Sequence, residues 1–153
     1  MLILDEKGLS GIVKRILDLI FIGGIVIVIS LPWSVKWYIG RLIFGTSEKY
    51  VFMLVFLYIT GFFALVIVYE IRNIFKTLNR RNPFMMDNVK SLKHIAVASF
   101  VISAAYVVKI FVFNSFLTII LAMVFVIAGF FSIILAEVFR QAVEVKEEND
   151  LTI

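Results

Sequence analysis

Charged residues fall in blocks along the chain, separated by long runs that hold none. One such run extends from Leu19 to Val35, with Ile16 and Leu17 lengthening it towards the N-terminus, and a second extends from Tyr50 to Tyr69. From Ile95 to Ala136 the sole charge is Lys109. As one helix this third stretch would reach roughly 63 Å, about twice the ~30 Å of hydrocarbon that some 20 apolar residues cross. It must fold back. Asn114-Ser115 is the best turn, because both side chains favour local backbone bonds over helix continuation. The pattern predicts spans at about 16–35, 50–71, 92–113 and 116–137. The runs do not alternate as barrel strands do, so all four are read as helices. The expected fold is an all-α membrane protein, a four-transmembrane-helix bundle in a single membrane domain over 1–153.

Composition agrees. The chain is 62% hydrophobic and 17% charged, below the roughly one quarter that a soluble domain carries to cover its surface. There is no Cys, which excludes disulfides, thiolate zinc sites, iron–sulfur clusters and Cys nucleophiles. Lys14 and Arg15 precede the first apolar run much as a signal peptide's basic residues would. The run ends in Ser30-Leu31-Pro32-Trp33 without a small-x-small cleavage pattern, so it is expected to remain as a span.

Basic residues favour the cytoplasmic side of a membrane. Three lie in the N-terminal segment, six in the middle loop over 72–91 and its flank, and two in the tail over 138–153. Four lie on the other side: Lys36, Arg41, Lys49 and Lys109. Both termini are therefore expected in the cytoplasm. The outer loop over 36–49 is flanked by Trp33, Trp37, Tyr38 and Tyr50, as an interfacial aromatic belt would be. Val35–Phe44 could form a short separate helix in that interface.

Small residues let helices approach closely in a bilayer. Ala96, Ser99 and Ser103 share one face of the third span, and Ala122, Gly129 and Ala136 recur at steps of seven in the fourth, with Ser132 beside them. These faces are expected to meet. Gly61-Phe62-Phe63-Ala64 and Gly129-Phe130-Phe131-Ser132, each leading to a Glu, suggest an internal repeat of two hairpins. The 16 Phe make coincidence its rival.

The second helix is expected to continue into the cytoplasm on the stripe Ile71, Ile74, Phe75 and Leu78, and to end near Asn79–Arg81 ahead of Pro83. Asp87 is a candidate N-cap for the next helix. The fourth helix likewise runs on through Phe139, Ala142 and Val143. Glu70 to Lys93 then carries six basic and two acidic residues, and Glu137 to Ile153 two basic and five acidic. The basic loop has three readings: an anchor on anionic lipid, a salt-bridged brace against the acidic tail, or a docking surface for a cytoplasmic protein. The residues for docking are Arg72, Lys76, Arg80, Arg81 and Phe84, with Glu144, Glu147 and Glu148 of the tail.

Chemistry inside the spans is sparse. His94 is the one His and has no evident acidic cluster in sequence, so neither a metal nor a cofactor is expected. Lys109 lies roughly 7.5 Å inside the outer turn, where its stem can snorkel. Tyr106, Lys109 and Asn114 form a candidate polar site in the membrane. Glu70, Glu137 and Asp18 sit at helix ends within reach of water. No Ser/His/Asp set, phosphate loop or paired catalytic carboxylates can be assembled, so the chain reads as non-enzymatic.

The phrase Ile71-x-x-Ile74-Phe75-x-x-Leu78, then Asn82-Pro83-Phe84 and Asn88 before Leu92, resembles a signature of an uncharacterised bacterial family of small four-span membrane proteins. So does Ala136-Glu137-Val138-Phe139 followed by Glu147-Glu148-Asn149-Asp150-Leu151-Thr152-Ile153. The resemblance implies a multi-pass protein of a bacterial plasma (inner) membrane. Members are commonly encoded beside a helix-turn-helix regulator of the Cro/repressor type, which implies a cytoplasmic partner. It assigns no activity and no cofactor. The leading expectation is a regulatory or interaction scaffold in the lipid bilayer, without direct nucleic-acid binding. The alternative is a small transporter or channel acting as a homo-oligomer.

Overall fold

The structure, a computed structural model, describes residues 7–42 and 47–152. It is all-helical: α1 (Leu9–Leu42), α2 (Ser47–Asn79), α3 (Met86–Val112) and α4 (Phe116–Leu151). All four are long and apolar enough to cross a membrane, which fits a multi-pass membrane protein. One end of the helices carries the start of α1, the α2–α3 turn and the end of α4. It is called the terminal end below. The aromatic end carries Trp33, Trp37 and the α3–α4 turn.

Packing follows chain order. α1 lies on α2, α2 on α3, and α3 on α4, the last pair being the most extensive. The arrangement is thus an open series, and α1 is the least covered helix. The α3–α4 contact is made by the small residues expected there. Ala96, Ser99, Ser103, Ala122, Gly129, Ser132 and Ala136 are all buried. The Ser103 hydroxyl donates to the Ala122 carbonyl of α4 at 2.8 Å, crossing between helices. Ser30 and Thr60 do bond back to their own helices, at the carbonyls of Ile27 and Phe56.

The α3–α4 turn falls at Asn114-Ser115 as predicted. Ser115 is the N-cap of α4, and its hydroxyl oxygen accepts from the Thr118 N–H at 3.3 Å. The α2 terminus likewise falls at Asn79. There Arg81 takes a left-handed φ of 56°. The N–H groups of Arg81 and Asn82 bond back to the carbonyls of Leu78 and Thr77, which is the Schellman closure with Arg in the position Gly usually fills.

Two local expectations differ from the structure. Residues 35–42 are not a separate interfacial helix, because α1 continues through Pro32 to Leu42; residues 43–46 lie outside the described residues. Pro32 removes one N–H, but the apolar stripe runs straight across it. Leu31, Val35 and Ile39, one turn apart, pack against Tyr50, Met53, Leu54 and Leu57 of α2. The Tyr50 hydroxyl also donates to the Pro32 carbonyl at 3.3 Å. Second, Asp87 is not the N-cap of α3. Met85 holds that position without a side-chain bond, and Asp87 lies exposed in the first turn.

Candidate functional site

At the terminal end, polar side chains tie α1 to α2, α2 to α3, and α4 to the α2–α3 turn. Between α1 and α2, the Ser10 hydroxyl donates to Asn79 Oδ1 at 2.6 Å. Asp18 accepts from both Lys14 Nζ (3.0 Å) and Arg72 Nε (2.5 Å). The Arg72 guanidinium lies 4.9 Å from the Phe21 ring centroid, so its charge is met on two sides. Between α2 and α3, His94 Nδ1 lies 2.7 Å from Glu70 Oε1. The buried Asn88 amide donates to Thr77 Oγ1 at 2.7 Å and to the Pro83 carbonyl at 2.5 Å. Lys146 of α4 donates to Asn82 Oδ1 of the α2–α3 turn at 2.8 Å. A shared core of Val89, Leu92, Ile95 and Ala136, with Ile67, Ile71 and Ile74 against it, lies among α2, α3 and α4.

These ties sort the predicted docking residues. Arg72 is engaged with Asp18 and is part of the α1–α2 contact. Lys76 and Arg80 are exposed and line a hollow of about 290 Å³ together with Lys14 and Arg15 of α1. The same two residues line an adjoining hollow of about 560 Å³ beside Asn73, Asn82 and Asp87. Arg81 is exposed at the turn. Phe84 packs on Phe139, with ring centroids 5.5 Å apart, yet keeps 44% of its surface exposed. It borders a third hollow against Ala142, Val145 and Lys146 of α4.

In the tail, Glu144 and Glu137 both pair with Arg140 of their own helix, while Glu147 and Glu148 are exposed. Glu137 and Glu144 thus pair within their own helix. The tail is joined to the loop by Lys146–Asn82 and Phe139–Phe84. No group of three or more His, Cys, Asp or Glu among the described residues is placed to hold a metal ion.

The loop and tail that build this surface lie inside the stretch matched by a family model described as "Protein of unknown function (DUF2975)", which covers residues 31–153. The chain belongs to this family. Neither the curated proteins nor the solved structures compared with it gave a match. In this family member, Lys14 and Arg15 precede the matched stretch, whereas Lys76, Arg80, Phe84 and the tail fall within it.

At the aromatic end the structure brings together two of the three residues predicted as an intramembrane site and adds others. Lys109 Nζ lies 5.2 Å from the Phe56 ring centroid and 6.0 Å from that of Tyr106. Lys109 and the exposed Asn114 line a hollow of about 240 Å³ with Lys49 and Ser115. Tyr106 instead turns into the α2–α3–α4 contact, edge-on to Phe56 and stacked on Phe125. Lys109 also borders a larger cleft of about 850 Å³ between α1 and α3, floored by Met53 and Leu57 of α2.

The pairings that sequence reasoning missed include Asp18–Arg72, Glu70–His94, and the meeting of Lys14 and Arg15 with Lys76 and Arg80. Each joins adjacent antiparallel helices near the same end. The signal was present in the position of each charge at the edge of an apolar run. Glu70, expected to reach water, is buried, and the exposed His94 of the neighbouring helix meets it.

Proposed function

We propose that this chain is a non-enzymatic scaffold of a bacterial plasma membrane, with both termini in the cytoplasm, that docks a cytoplasmic partner at its terminal end. The observation that carries the reading is the cation-rich surface on which Lys14 and Arg15 meet Lys76 and Arg80; the half-exposed Phe84 lies at the same end, in a separate hollow against α4. The exposed Arg15, Lys76 and Arg80, with Lys14 beside them already paired to Asp18, suit an acidic protein segment, and Phe84 offers an apolar anchor elsewhere at this end. The excess of Lys and Arg at this end supports its cytoplasmic placement. The helix lengths support extension beyond the bilayer: 33 residues of α2 reach roughly 50 Å against about 30 Å of hydrocarbon. The partner to test is the helix-turn-helix regulator implied by the family resemblance.

Because the chain has no Cys, single cysteines report orientation directly. Lys90→Cys and Glu148→Cys are expected to react with an impermeant maleimide only after the cytoplasmic side is opened, and Lys36→Cys in intact cells. The reverse pattern refutes the orientation. Docking is tested by co-purifying the regulator with wild-type protein, with Lys76→Glu/Arg80→Glu and with the opposite-end control Lys36→Glu. Recovery is expected to fall only in the double variant, and equal recovery in all three removes this surface from the reading.

A further inference from the structure

We propose that the cleft between α1 and α3 at the aromatic end is a binding site for an anionic phospholipid, taking an acyl chain along its floor and the phosphodiester headgroup at Lys109 and Lys49. The cleft exists because packing follows chain order. α1 and α3 both lie on α2 without a substantial contact of their own, which leaves a valley over Met53 and Leu57. Its walls are Leu31, Val35 and the aromatic rings of Trp33 and Trp37 on one side, with Lys109 on the other. At about 850 Å³ it falls in the size range of ~300–1,000 Å³ typical of ligand clefts.

Polarity is graded along this valley. The large cleft is mostly aliphatic and aromatic, and it meets the smaller hollow at Tyr38, Met53 and Lys109. That second hollow lies at the helix ends and adds Lys49, Asn114 and Ser115. An apolar trough ending in two ammonium groups, an amide and a hydroxyl complements one lipid chain and its headgroup.

The two lysines are held in place without being neutralised. Lys109 rests over Phe56 and Tyr106, and Lys49 lies 5.6 Å from the Phe113 ring centroid. Ring faces orient a cation but carry no net charge. No salt bridge among the described residues involves either lysine. Among the described residues, Glu48 is the one carboxylate at this end, and it does not line either hollow. A cation bordering hydrocarbon is costly unless it finds an anion or reaches the interface, and a phosphodiester in the cleft meets that need for both.

The protein carries its own probe. Its two Trp, Trp33 and Trp37, both line the cleft. Purified protein is placed in symmetric nanodiscs of phosphatidylcholine doped with brominated-chain phosphatidylglycerol or brominated-chain phosphatidylcholine, and tryptophan quenching is followed against the mole fraction of brominated lipid. Half-maximal quenching by the anionic lipid is expected at a lower mole fraction, by about fivefold for each lysine, the usual attraction of one basic side chain for an anionic lipid. Lys49→Gln/Lys109→Gln should bring the two curves together, Lys109→Arg should keep them apart, and Lys36→Gln, which lines neither hollow, should not change them. Coincident curves for the wild-type protein overturn the proposal. So does a separation that survives in the double variant, which indicates general surface attraction. Protection from both lipids indicates a cleft filled by protein and overturns it as well. The discs present the same lipids on both faces, so the outcome does not depend on the orientation or the partner proposed above.

Discussion

Replacing Gly129 by Ala tests how closely α3 and α4 approach. A Cβ at this position would lie 2.7 and 2.8 Å from Cε1 and Cζ of Phe100 and 3.0 Å from its Cδ1. Three ring atoms inside contact distance mean that the whole ring must shift. It has little room, because Phe130 of α4 holds it edge-on with centroids 5.2 Å apart. The other glycines serve as internal references. Gly23 would meet nothing within 4 Å, and Gly24 would meet Leu65 Cδ2, the far end of a flexible side chain. Exchanging Gly for Ala inside a helix gains about 1 kcal/mol at each site, so this gain cancels between variants. Overpacking costs about 1–3 kcal/mol. Gly129→Ala should therefore be less stable than Gly23→Ala by about 1–3 kcal/mol, with Gly24→Ala close to Gly23→Ala. Equilibrium unfolding in mixed micelles, followed by circular dichroism, measures the order. Phe100→Leu should recover most of the loss in a double variant, since it removes the obstructing ring. If Gly129→Ala matches Gly23→Ala, the helices are not in the contact described and the reasoning fails.

Two further substitutions probe the terminal end. Asn88→Ala removes both bonds of a side chain 1% exposed and should cost about 1–3 kcal/mol in the same unfolding assay; a cost near zero means that the amide does not secure the α2–α3 turn. Asp18→Asn should destabilise more than Arg72→Gln, because Asp18 serves two cations while Arg72→Gln leaves Lys14 paired. Unfolding measurements on the two single variants and the double variant would give the coupling, and the reverse order of costs refutes this assignment.

Much of the fold was legible because the bilayer imposes few patterns. Runs of the right length located four helices, and the excess length of the third run required the turn found at Asn114-Ser115. Small residues marked the α3–α4 face. What was not legible depended on distance between helices. Pro32 reads locally as a stop, yet α1 continues because Leu31, Val35 and Ile39 keep one face on α2. Asp87 has the chemistry of an N-cap, but Asn88 is drawn into the turn by Thr77 and Pro83, which starts α3 at Met86. Of the docking residues, Arg72 could not be separated from Lys76 and Arg80 by sequence, since only the position of α1 shows that Asp18 takes it.

The two ends of the helix series differ in how they resist separation, and that difference follows from where the polar residues fall. At the terminal end Ser10–Asn79 and Asp18–Arg72 tie α1 to α2, Glu70–His94 ties α2 to α3, and Lys146–Asn82 ties α4 to the α2–α3 turn. In low-dielectric surroundings such ties are directional, because a wrong helix register leaves a charge or amide unpaired. At the aromatic end α1 is held to α2 by aliphatic contacts and the Tyr50–Pro32 bond. Aliphatic contacts between helices are exchangeable for contacts with lipid tails. The terminal end is therefore the more firmly registered of the two, as the docking proposed at Lys76 and Arg80 requires. In the lipid proposal above, the aromatic end is where lipid competes with protein for the face of α2, and the two lysines there select which lipid does so.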